Sequence, residues 1–417
     1  MKLIFNLLII IFITNQTLSA DWERWRGPNG NGLWNGPQIS QKLPKAGLKR
    51  IWRTKINPGY SGVSVSNGRV YLMDKETGEE GKAYERVVCL NAQNGDIIWK
   101  FLYPVNYKDM GYGKGPRASV LIHKDKAFGF GARGHAFSLD ARNGEKIWFR
   151  NLSLEEKGIL PIWGFSSTPE IIDGEIIYHA GCQPLGSIIS LSADSGSTLW
   201  KAGKDDKAGY APPLLIESRE KKQLVCWGPN KIMGICKEDK SIVWEIPYEV
   251  KYGVSITKPI FHQSIVLVSG YWHGTRAIQL SEDLQKAKIL WSDEDNIRGL
   301  MSQALYRKGT CFMLDRSNGL TSFELRTGKI FWRDNHNLTT ADRNPQASLV
   351  WVDQSKGEVL ALNAEGELVF LNLNKDGYKE YWREQVVAKT WAHPAYSGKY
   401  IYARDDESVV CYELPLD

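Results

Sequence analysis

Eight tryptophans, at positions 52, 99, 148, 200, 244, 291, 332 and 382, recur along this 417-residue chain at a mean interval of about 47 residues. Around four of them the sequence superposes without gaps: CLNAQNGDIIW (89–99), SLDARNGEKIW (138–148), SLSADSGSTLW (190–200) and SFELRTGKIFW (322–332). Each of these places a glycine four residues ahead of its tryptophan, where a tight hairpin with a bulge needs a positive φ. The other four units keep the tryptophan and lose or displace the glycine. A period of this size makes each unit one supersecondary module that buries its apolar face against the next.

Upstream of each tryptophan strand lies a second alternating run, among them NGRVYL (67–72), DGEIIYHAG (173–181), QSIVLVSG (263–270) and SGKYIYA (397–403). Alternation and β-branched content make these half-buried strands. Ahead of them sit small residues with proline, as in SSTPEII, APPLLI, ITKPIF and AHPAYS. Proline belongs on a sheet edge, and small side chains suit strands converging on one axis. Four strands per unit with such an inner edge form a propeller blade. The last unit stops at VVCYEL (409–414), one strand short, while KRIW (49–52) is a tryptophan strand with no inner strands before it. Each supplies what the other lacks. The fold class is therefore all-β: an eight-bladed β-propeller of four-stranded antiparallel blades, closed by the N-terminal strand completing the last blade. A tryptophan repeated at one outer-strand register is expected to pack between blades.

Ahead of the repeats, Lys2, the apolar run LIFNLLIIIFI (3–13) and a polar stretch ending in Leu18-Ser19-Ala20 read as a secretory leader over residues 1–20. Residues 21–48 form an extended segment and 49–417 the propeller. No cysteine follows the leader to carry a lipid, and no other apolar run could span a membrane. The expected location is outside the cytoplasm, periplasmic or secreted, as a monomer. The net charge of +6 is small for this length and no Lys/Arg run occurs, which argues against nucleic acid. Of six cysteines, Cys89, Cys236 and Cys411 occupy similar strand positions and read as buried thiols. Cys226 and Cys236, flanking a WGPNK turn, are the one pair considered for a disulfide.

The GxxxW repeats, each preceded by a small-residue/Pro strand, resemble the pyrroloquinoline-quinone (PQQ) repeat family over essentially the whole chain after residue 20. The opening DWERWRGPNGNGLW (21–34) is similar to the DWxxWRGP start of secreted PQQ-like propellers of planctomycete-type bacteria. Such a resemblance implies the fold, but the fold hosts catalysts and scaffolds alike. Quinoprotein alcohol dehydrogenases of this type hold PQQ and Ca²⁺ above the propeller centre, with a carboxylate base, Glu/Asn/Asp calcium ligands and often a bond between adjacent cysteines. This sequence has no Cys-Cys pair. Its acidic groups Asp293-Glu294-Asp295-Asn296 and Asp205-Asp206 follow tryptophan strands, where solvated loops are expected. The other kind of relative is a non-catalytic barrel-assembly lipoprotein of the Gram-negative outer membrane, whose N-terminal lipidated cysteine is missing here.

Any ligand is expected in the central funnel, where loops from every blade converge. The residues just ahead of the innermost strands are Tyr60, Arg117, Trp163, Tyr210, Tyr252, Arg298, Asn344 and Trp391. That ring can stack a planar ligand and pair with its carboxylates, stack on sugar faces, or seal the funnel by packing against itself. His393 is the best-placed histidine. Trp22 and Trp25 are expected to dock the entry segment on the propeller's rim or side, with Arg26 and the Gly-Pro turn fixing its path. No nucleophile–His–acid set, HExxH or phosphate loop occurs. The reading is a non-catalytic binding or scaffolding propeller for a protein or polymer partner, with no cofactor expected. A divergent PQQ- and Ca²⁺-dependent oxidoreductase and a glycan-binding propeller are the alternatives.

Overall fold

The structure, a computed structural model, describes residues 21–205, 207–299 and 301–417. The proposed leader and Asp206 lie outside the described residues. Eight four-stranded antiparallel sheets make up the described fold. The first blade runs outward from Ser64–Ser66 through Arg69–Thr77 and Ala83–Asn91 to Ile97–Val105. Blades 2 to 7 begin with the inner strands Leu121–His123, Glu170–Ile172, Leu214–Ser218, Ile260–His262, Leu305–Arg307 and Ala347–Asp353. Blade 8 begins with Ala395–Ser397, and its outermost strand is Lys49–Lys55 from the other end of the chain. That strand pairs with Ser408–Glu413 from Lys49 opposite Glu413 to Lys55 opposite Ser408. Closure thus covers the edge that an open eighth sheet would expose. No helix among the described residues is long and apolar enough to cross a membrane.

The prolines expected within the inner strands stand one residue earlier. Pro169, Pro213, Pro259 and Pro394 immediately precede the strands that begin at Glu170, Leu214, Ile260 and Ala395. A residue without an N–H cannot join the ladder, so pairing starts just after it.

The core lies as wedges between successive sheets. One wedge joins Tyr71, Val87 and Trp99 of blade 1 to Val120, Phe137 and Leu139 of blade 2. The repeated tryptophans pin these wedges. Trp52, Trp99, Trp148, Trp291 and Trp332 each donate the indole N–H to a main-chain carbonyl of the following blade, at Ala92, Ala141, Ala193, Leu325 and Asn374, over 2.9–3.2 Å. Trp382 donates to the Ser40 carbonyl of the entry segment instead. The repeat glycines have a second purpose besides their turn. A methyl on Gly144 (φ +77°) would come within 2.6 Å of the Trp99 ring, and one on Gly95 within 2.7 Å of Trp52. Each glycine is therefore the flat seat for the tryptophan of the preceding blade. Blade 4, which lacks the glycine, keeps the positive φ at Lys240 (66°) and lays that ammonium 4.7 Å from the Trp200 ring.

No disulfide forms. The two central strands of blade 4 pair Cys226 with Met233 and Cys236 with Gln223, so register holds the candidate pair apart. Cys89 and Cys411 are buried, whereas Cys236 ends its strand half-exposed, its thiol bonded to Glu238 at 3.0 Å.

Candidate functional site

Small residues on the inner strands let eight sheets approach one axis. Gly62 lies so close to blade 2 that a methyl there would meet the Ser119 hydroxyl at 2.6 Å. Above this waist the blades splay, and the loops entering the inner strands enclose a cavity of about 350 Å³. Seven of the eight ring residues line it: Tyr60, Arg117, Trp163, Tyr210, Tyr252, Asn344 and Trp391. Arg298 does not. Its backbone N–H is bonded to the Asp315 carboxylate at 2.6 Å and its carbonyl accepts from Arg316 N–H, which pins its main chain against the 315–316 turn. Cations reach the cavity instead from Arg316 and Arg343.

The rings are unevenly distributed. From Trp391 an arc of neighbouring rings passes through Tyr60, Tyr112, Trp163, Tyr252 and Trp272 to Tyr271, with centroids 4.5–6.4 Å apart. Arg316 of blade 6 and Arg343, Asn344 and Gln346 of blade 7 complete the other side, with the Arg316 guanidinium 3.8 Å from the ring of Tyr271 at the arc's end. Tyr112 crosses between the two sides, and the Asn344 amide donates to its hydroxyl at 3.4 Å. Tyr112 (φ 54°) and Tyr252 (φ 61°) both take the left-handed backbone conformation that bulky residues rarely adopt, yet their side chains remain exposed at the mouth. Arg117 steadies the Tyr112 loop by donating to the carbonyls of Gly111, Tyr112 and Gly115.

The far end of the axis is closed, and here the expectation for the entry segment is corrected. Residues 21–34 lie across the axis, not on the rim or side. Asp21 accepts from Asn67 N–H at the turn of blade 1 remote from the mouth; Trp22 carbonyl pairs with Val65 N–H and Glu23 carbonyl with Ile122 N–H. Leu33 bridges Trp351 of blade 7. Trp22 and Trp34 are fully buried, packed on Tyr396, and Trp25 forms part of the cavity floor with its edge to His393. Eight inner strands around one axis leave a space that the large rings of Trp22 and Trp34 fill at close packing. Arg24 binds Glu170 at 3.0 Å, and Glu170 also holds Lys258. Arg26, buried with its guanidinium donating to the Asn31 carbonyl and lying 5.9 Å from the Trp25 ring, is pushed down to about 9 by burial.

No described Asp or Glu lines the cavity, and no group of three or more His, Cys, Asp or Glu side chains converges among the described residues. Asp293 caps the backbone N–H groups of Asp295 and Asn296 in its own loop, and Asp205 binds Asn230. His393 contacts the Ser348 hydroxyl at 3.0 Å and the Gln346 amide at 3.3 Å. Burial and the nearby Arg26 charge hold it down to about 3, so it is a weak base near neutrality. The arginines suit the carboxylates of a polyacid such as PQQ. Ca²⁺ fits poorly, because it takes six to eight oxygen ligands rich in carboxylate.

Sequence reasoning missed Trp25, Tyr112, Tyr271, Trp272, Arg316, Arg343 and Gln346. The readable signals were two: Tyr112 sits in a glycine-flanked GYG loop, and Tyr271-Trp272 lie in the hairpin turn after Ile265–Gly270.

Comparison with known proteins places this geometry. The family described as outer membrane protein assembly factor BamB matches residues 45–178 and 184–414. Quinoprotein alcohol dehydrogenase PedH of Pseudomonas putida is 23% identical over 194 residues, covering 43% of this chain and 31% of the enzyme. The chain thus matches under a third of that relative's length. Among solved structures, BamB from Moraxella catarrhalis superposes with a TM-score of 0.53 at 16% identity, covering 88% of this chain and 100% of that one. Quinohemoprotein alcohol dehydrogenase from Comamonas testosteroni gives 0.63 at 12% identity, covering 95% and 81%. At these identities the likeness is one of fold.

Proposed function

The chain belongs to the family of outer membrane protein assembly factor BamB, a PQQ-repeat propeller family, and on that premise we propose that it is a non-catalytic binding propeller that works outside the cytoplasm. Its site is the one-ended axial cavity, which takes part of a protein or polymer partner. The observation that carries this reading is the donor set. Stacking rings and arginines line the cavity, and no described carboxylate stands there to hold a calcium ion or to take a proton from an alcohol. The leader-like residues 1–20 support export.

The test is reconstitution of the purified protein with PQQ and Ca²⁺, followed by dye reduction over a panel of alcohols and sugars. The expected result is no turnover above protein-free controls. Turnover abolished by removing calcium would overturn the reading in favour of a quinoprotein oxidoreductase.

A further inference from the structure

We propose that the axial cavity receives the end of an acidic carbohydrate chain, with its pyranose rings on the aromatic arc and its carboxylate or sulfate groups turned to Arg316 and Arg343. This inference rests on the binding reading above and names the ligand class. Three features of the cavity carry it. Rings line the part of the cavity formed by blades 8 and 1 to 5, and cations and amides the part formed by blades 6 and 7, with Arg316 seated on Tyr271 where the two meet, so a ligand apolar on one face and anionic on the other fits it. A sugar ring with its C–H face on tryptophan and a charged substituent at its edge has that form. The second feature is cationic charge without a carboxylate partner. Arg117, Arg316 and Arg343 line the cavity, and none makes an ion pair with a described carboxylate. Arg343 is exposed; its backbone N–H donates to Asp342 and its carbonyl accepts from the Tyr271 hydroxyl, while its guanidinium has no hydrogen bond among the described residues. Neutral sugars give such guanidinium groups nothing to pair with.

The third feature is ring orientation. Successive planes along the arc turn by 84° from Tyr60 to Tyr112, 77° from Tyr112 to Trp163 and 53° from Trp163 to Tyr252. The near-parallel pair, Tyr60 and Trp391 at 27°, is stacked upon itself. A flat conjugated acid clasped face-on between two rings needs those rings near-parallel. A chain of puckered rings, each rotated from the last, meets faces that turn with it. The closed floor at Trp25 then selects a chain end over a chain passing through.

Isothermal titration calorimetry with the full-length mature protein tests this. The probes are a trigalacturonate, a chondroitin sulfate tetrasaccharide, cellotriose, hexaglutamate and PQQ without metal. At least one of the two acidic oligosaccharides is expected to bind one site at least tenfold more tightly than cellotriose; which one separates carboxylate from sulfate recognition. Arg343→Gln, at an exposed side chain, should weaken that binding at least tenfold, and Arg326→Gln, outside the cavity, should leave it within twofold. Binding unaffected by Arg343→Gln, equal affinity for cellotriose, or absence of binding by both acidic sugars would overturn the proposal. Tighter binding of hexaglutamate or PQQ without dye-assay turnover would overturn it while leaving the binding reading intact. Turnover in the dye assay would remove both.

Discussion

Tyr112 and Tyr252 hold exposed rings on a backbone conformation that costs of order 1–3 kcal/mol for such residues. A side chain that contributes little burial does not offset that, so their placement at the mouth belongs with binding. Tyr252→Asn, with a residue that tolerates the left-handed region, should leave the unfolding free energy within about 1 kcal/mol of the parent. Urea denaturation measures it, and a large loss would assign Tyr252 to the core. His393 supplies a pH signature. Its folded value, about 3, lies below the ordinary 6.5, so the fold favours neutral imidazole. Above pH 6.5 both states are neutral and the contribution is complete. Between 6.5 and 3 only the unfolded chain gains the proton, and stability falls as pH falls. His262, held to about 4 by burial, acts in the same sense. Urea midpoints at pH 7 and 4.5 should therefore differ less in His393→Gln than in the parent. Glu170 acts differently, as the shared carboxylate of Arg24 and Lys258. Glu170→Gln leaves buried Lys258 and half-buried Arg24 without their shared counter-charge and should cost roughly 3–5 kcal/mol by the same measurement.

Blade construction follows from spacing. A glycine four residues before a tryptophan encodes a hairpin bulge locally, and the structure adds that the same glycine seats the preceding blade's indole. Gly144→Ala meets both requirements at once, a positive φ and a ring at 2.6 Å, and should cost about 3 kcal/mol in urea unfolding. Gly68→Ala shares the positive φ with nothing within 4 Å, and should cost about 1 kcal/mol. Equal losses would show that the tryptophan seat contributes nothing. Strand alternation and turn residues made these elements legible in the sequence. The Cys226/Cys236 pair was misjudged because proximity across a turn says nothing of register: the two lie three residue pairs apart along the ladder.

At the scale of the whole molecule, two segments from the N-terminus close the structure. Lys49–Lys55 completes the ring, and residues 21–34 stop the axis. A chain beginning at residue 35 should retain its β-sheet circular dichroism, because every blade keeps four strands. It should melt lower and bind an apolar fluorescent dye, because Tyr396 and Trp351 lose their cover. An unchanged melting temperature would mean that the plug is not integral to the fold.

The period, the four-strand unit and the complementary ends determined the propeller and its closure by themselves, because turn chemistry, strand alternation and a repeating tryptophan act over short stretches of chain. Seven of the eight funnel residues were legible for the same reason, being one position repeated in each unit. Only the tertiary structure decided that Arg316 and Arg343 stand where Arg298 was expected, that Tyr112 reaches Asn344 from 232 residues away, and that Trp25 becomes a floor. Those depend on which side chains meet over an axis built by all eight blades, and no local stretch of sequence contains the shape of that axis.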